Sequence, residues 1–156
     1  MFPFPPLAPP LKPYPLRLII HRQGDAYTAH FVEPEGQESE SFPLTLPLDK
    51  AARDDLSWYL EQYVGFVGEG DRAHASKLEL RIDGWGRALH DALFENAEGA
   101  RVHMRLMDAA GAGRATSLTI GSVEPEVHVQ PWEMMRDRQG PLAFRMTIRR
   151  QLQAAG

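Results

Sequence analysis

Six histidines, a complete lack of cysteine and one Pro-Trp-Glu triplet mark where chemistry could reside in this chain of 156 residues. The histidines are His21, His30, His74, His90, His103 and His128. None belongs to an HExxH pattern, and none has a second histidine three or four positions away. A helical metal pair is therefore missing. His90 adjoins Asp91, but adjacent helical residues point apart. The spacing predicts scattered surface or capping histidines, and a mononuclear metal site would have to be gathered from distant positions. Without cysteine there are no disulfides, no thiolate ligands and no cysteine nucleophile.

Other candidate motifs are incomplete. Gly111-Ala112-Gly113 resembles part of a phosphate loop, placed after an expected strand. It lacks the lysine and following Ser/Thr of a P-loop and the third glycine of a dinucleotide fingerprint. No GxSxG elbow is present. Asp54-Asp55 and the pair Glu124 and Glu126 fall at helix starts or in loops and require no catalytic role. The expectation is no catalytic, cofactor-binding or metal residue, and no cofactor.

The most specific stretch runs from Val129 through Pro131-Trp132-Glu133-Met134-Met135 to Phe144. Pro131 suits the first position of a helical turn. Trp132 and Met135 then share one side and Glu133 faces another. The reading is a structural anchor, with Trp132 buried near Leu89 or Leu93. Glu133, as a carboxylate near a core, would need backbone amides or an arginine such as Arg145 or Arg149.

Elements must position these residues. Seven of the thirteen prolines lie in residues 1–15, predicting an extended, polyproline-like leader. Leu16–Ile20 and Ala26–Val32, separated by Gln23-Gly24-Asp25, read as a β-hairpin. Phe42–Leu46 is a third strand, with Pro43 confining it to an edge or a strand start. Asp49 to about Phe66 has a helical stripe of Ala52, Leu56, Tyr59, Leu60, Tyr63 and Val64, capped by Asp49 and ended by Gly65 and Gly68. A second helix spans about Ala73 to Ala97. Gly84 and Gly86 within it signal a close approach or a kink.

Val102, Met104 and Leu106 alternate with Arg101, His103 and Arg105, which predicts a strand over 101–107. Ser117–Ile120, a segment within Pro125–Met135, and Leu142–Ile148 complete the strands, with a turn at Asp137–Gly140. The fold class is α/β or α+β, with a mixed β-sheet, an amino-terminal hairpin and two main helices. One domain is expected over residues 16–152, with a tail at 153–156.

Composition bounds the function. Hydrophobic residues make up 43% and charged residues 24%, so a core can form. Seventeen basic and 21 acidic residues give a net charge of −4, with no basic excess for nucleic acid or anionic membrane. No apolar run approaches the roughly 20 residues of a membrane span, and the amino terminus lacks a secretory pattern. A cytoplasmic protein is expected.

The PWEMMRDRQGPLAF stretch resembles the signature of CHAT domains, caspase-like domains first associated with TPR proteins. Leu56-Ser57-Trp58-Tyr59-Leu60-Glu61 is similar to the family's upstream WYxE helix. Gly84-Trp85-Gly86 through Leu93-Phe94 is similar to its G-x-x-L-x-x-x-L-F helix. Thr147 to Leu152 resembles the strand leading into the caspase core. The resemblance covers roughly residues 42–152. It marks Trp58, Tyr59, Glu61, Trp85, Pro131, Trp132 and Glu133 as structural motif residues.

In such proteins a histidine and a cysteine end two core strands beyond the PWE segment. No position here matches them, so the resemblance implies a non-catalytic, pseudo-protease-like portion without peptidase activity. It implies a protein partner or downstream protease core, and self-association through an exposed strand edge. Two other readings stand beside it: an independent interaction module docking through its leader or a sheet edge, and an enzyme using the dispersed histidines.

Overall fold

A computed structural model describes residues 10–63 and 69–153. These residues build a mixed five-stranded sheet in the order β3 (Phe42–Leu44), β2 (Ala26–Val32), β1 (Tyr14–Gln23), β4 (Thr116–Ser122), β7 (Thr147–Leu152). Strand β1 (Tyr14–Gln23) turns at Gly24-Asp25 into antiparallel β2 (Ala26–Val32). Gly24 has φ +62, a left-handed conformation that suits a two-residue hairpin turn. Short β3 (Phe42–Leu44) pairs with β2 and lies at the edge, where Pro43 breaks no interior ladder. The leader mostly falls outside the described residues, but Tyr14 and Pro15 already belong to β1.

Asp49 caps α1 (Lys50–Trp58), accepting from the Ala52 amide at 2.8 Å. A π-helical turn, Tyr59–Tyr63, continues it. The expected glycine stop at Gly65 and Gly68 lies outside the described residues. Helix α2 (Glu69–Phe94) follows close to the expected span.

The expected strand over 101–107 is instead part of a helix, α3 (Ala97–Gly111). Asn96 caps it by accepting from the Gly99 amide at 2.8 Å. Val102, Leu106 and Ala109 are buried at helical spacing, while Met104 is 66% exposed. Positions i and i+4 satisfy both periods, and Met104 made the alternation only apparent. A third substantial helix thus joins the two expected.

Strand β4 (Thr116–Ser122) pairs in parallel with β1 and with β7 (Thr147–Leu152). The segment Pro125–Met135 holds no strand. Pro125 opens helix α4 (Pro125–His128), and Trp132–Met134 forms a 3-10 turn. A small hairpin, β5 (Arg136–Asp137) with β6 (Gly140–Pro141), matches the expected turn. Leu142–Phe144 is a second 3-10 turn rather than strand, so the last strand begins only at Thr147. The turn buries Leu142, whereas Phe144 is 86% exposed.

Leu16, Leu18, Ile20, Phe31, Leu118 and Ile120 from the sheet bury with Leu89, Leu93, Phe94, Val102 and Leu106 from the helices. Phe31 stacks on Phe94 at 5.6 Å between ring centroids, tying β2 to α2. At roughly 25 cal/mol per Å² of apolar surface, this face is the main source of cohesion. Among the described residues, no helix is long and apolar enough to cross a membrane.

Candidate functional site

Trp132 is buried, as the sequence predicts. Trp132 is 0% exposed, lies in the core with Leu89 and Leu93, and its indole Nε1 donates to the Val127 carbonyl at 2.8 Å. That hydrogen bond lets a large amphipathic ring bury completely. Pro131 precedes the turn at its cap position, where its carbonyl accepts from the Met134 amide at 2.9 Å. Helix α2 reaches this segment through Gly86: a Cβ there would stand 2.5 Å from the Met134 carbonyl oxygen. Gly84 has open space instead, so only Gly86 marks the close approach.

Glu133 is not part of the core. It is exposed and pairs with Arg150 of β7, Oε2 accepting from Nη2 at 2.6 Å. The expected partners, Arg145 and Arg149, are not used. Arg150 also donates to the Gln130 carbonyl at 2.8 Å. Gln130, which nothing in the sequence pattern singled out, is buried and clamps Leu48 by accepting from its amide and donating to its carbonyl.

Of the other motif residues, Trp58 and Tyr59 reach α2. The Trp58 ring lies 4.4 Å from that of His74, and the Tyr59 hydroxyl donates to Glu79 Oε1 at 3.2 Å. Glu61 is exposed. Trp85 packs against the core with Arg81 4.7 Å above its ring. Trp58 and Tyr59 therefore support a helix contact, separate from the PWE turn.

A different group of residues lines a cleft with a volume of about 690 Å³. His90 of α2, His103 of α3 and Asp137 of β5 converge there, each offering a ligand atom within 4.8 Å of the others. Met107, Gln139 and Arg145 also line it. Residues 101–107 form helix rather than strand, and the cluster follows from that. On helix α3 its ring meets that of His90 at 5.1 Å, edge to face.

Asp137 is held firmly. Oδ1 accepts from Arg145 Nη2 at 2.6 Å and from the Gln139 amide at 2.8 Å. Oδ2 is left toward His103 Nε2, 3.9 Å away. Burial acts most strongly to raise the Asp137 carboxyl pKa, but the Arg145 and Gln139 hydrogen bonds prevail and hold it below the ordinary value. His103 is pushed down, chiefly by burial and then by His90; Asp137 opposes this and Arg145 adds to it.

His90 Nδ1 lies 3.2 Å from Asp91 Oδ1, so these neighbours do meet, contrary to expectation. Among the described residues, the buried Nε2 atoms of His90 and His103 have no hydrogen-bond partner. The remaining histidines are dispersed: His21 stacks on His30, and His128 Nε2 meets the Ser122 carbonyl at 2.8 Å. Gly111-Ala112-Gly113 ends helix α3 instead of following a strand. It presents the carbonyl end of the helix dipole, which does not favour phosphate.

The fold and cleft define a mixed α/β domain with an embedded PWE turn and a two-histidine, one-aspartate cluster. Comparison with protein-family models, curated proteins and solved structures finds no match to this chain. It contains no cysteine nucleophile.

Proposed function

We propose that this chain is a non-catalytic support domain that carries a caspase-like protease core of the CHAT type on the open edge of its sheet, in the cytoplasm. The observation behind the reading is β7. Among the described residues it is the outermost strand on one side, runs parallel to β4, and spans six residues without proline. The opposite edge, β3, has three residues and contains Pro43. Short strands and proline blunt an edge, whereas a longer unbroken strand can accept another. The resemblance of the PWE turn and of Thr147–Leu152 to the CHAT signature supplies the partner class. Glu133 with Arg150 ties that turn to the open strand.

The test is to co-express the full chain with the His/Cys caspase-like polypeptide encoded in its frame or by a neighbouring gene. The Gln153 amide donates to Ser122 toward β4. Amides alternate sides along a strand, so the Leu152 amide faces the open edge. Leu152→Pro should abolish the complex while leaving the melting temperature of the isolated chain unchanged. Absence of any such core, or a complex indifferent to Leu152→Pro, overturns the reading. Binding of a different protein class at the same edge would return the independent interaction module.

A further inference from the structure

We propose that His90, His103 and Asp137 form a mononuclear site for a borderline divalent cation, zinc being the ion best matched to two imidazoles and one carboxylate. Their donor set is that of many sites that keep coordination positions open for water or a small ligand. Three independent features converge on it. Among the described residues both buried Nε2 atoms lack hydrogen-bond partners, an arrangement that is costly unless a ligand supplies one. Asp137 spends Oδ1 on Arg145 and the Gln139 amide, which fixes the carboxylate with Oδ2 directed at His103.

The third feature is outside the ligand set. His90 Nδ1 meets the Asp91 carboxylate at 3.2 Å. A histidine that gives its Nδ1 proton to a carboxylate carries its lone pair on Nε2, the arrangement found behind metal-bound imidazoles. The separations suit a small ion after modest side-chain closure: 3.9 Å between His103 Nε2 and Asp137 Oδ2, against about 3.3 Å expected for tetrahedral ligands at zinc distances. The cleft supplies room for the exchangeable ligands. Arg145 beside Asp137 weakens cation binding and would favour an anionic fourth ligand. This inference does not depend on the support-domain reading.

The full-length chain, purified without a histidine tag and treated with chelator, is titrated with zinc chloride in a calorimeter. One zinc per chain is expected. His103→Gln and Asp137→Asn should each remove saturable binding, and Asp91→Asn should weaken it about 10–100-fold. His21→Ala, which breaks the stacked pair with His30, should leave it unchanged. Cobalt loading gives a second readout, visible d–d bands in the wild type that vanish in His103→Gln. No saturable binding, or binding that survives both His103→Gln and Asp137→Asn in folded protein, overturns the proposal.

Discussion

Gly86 of α2 and Met134 of the PWE turn approach so closely that a Cβ on Gly86 would fall 2.5 Å from the Met134 carbonyl oxygen. Backbone cannot give way as a flexible side chain can. Gly86→Ala should therefore destabilise the fold by about 1–3 kcal/mol despite its better helix propensity. Gly84→Ala, facing open space two residues earlier, should stabilise it by up to about 1 kcal/mol. Urea melts of the two variants should move in opposite directions.

Trp132→Ala should cost about 3–5 kcal/mol, the range for removing a fully buried large aromatic. Trp132→Phe should also be destabilising, because the Val127 carbonyl loses its shorter hydrogen bond and keeps the longer one from the Gln130 amide at 3.4 Å. A Trp132→Ala chain melting with the wild type would remove the anchor.

Glu133→Gln should change stability by less than about 1 kcal/mol, since its ion pair with Arg150 is solvent-exposed. Gln130→Leu should cost more, because it strands both backbone groups of Leu48. Thermal melts at two salt concentrations separate them: only the Glu133 effect should shrink with salt.

Tyr14 supplies a pH test. Burial first, then the Glu33 carboxylate and its hydrogen bond, push its pKa from 10.0 to about 12. The folded chain therefore keeps this proton after the unfolded chain has lost it. Stability from Tyr14 is fully present below pH 10 and is lost as pH rises toward about 12. Tyr14→Phe should flatten that part of the stability profile, measured by chemical denaturation at fixed ionic strength.

The hairpin, the edge strand held by Pro43, the Asp49 cap and the buried tryptophan were legible because local chemistry specifies each. The failures share a cause. Val102 and Leu106 fit a two-residue and a 3.6-residue period equally, and only the Asn96 cap and the exposure of Met104 distinguish them. Leu142, Phe144 and Met146 likewise suggest alternation, but a 3-10 turn buries the first and exposes the second. The histidine cluster depends on tertiary contact between α2, α3 and β5, and no spacing within the chain encodes that. Gln130 was invisible for the same reason: its partner, Leu48, lies across the fold.

The placement of β1 has a consequence for the order in which the chain folds. Leu18 pairs on one side with Phe31, just across a tight turn, and on the other with Ile120, beyond three helices. The first pairing closes a short loop and can form early, while the second must wait for most of the polypeptide. During synthesis, Leu16, Leu18 and Ile20 therefore emerge in a hairpin whose inner edge stays unsatisfied until β4 arrives. That interval is when the newborn chain is most exposed to mispairing with its neighbours.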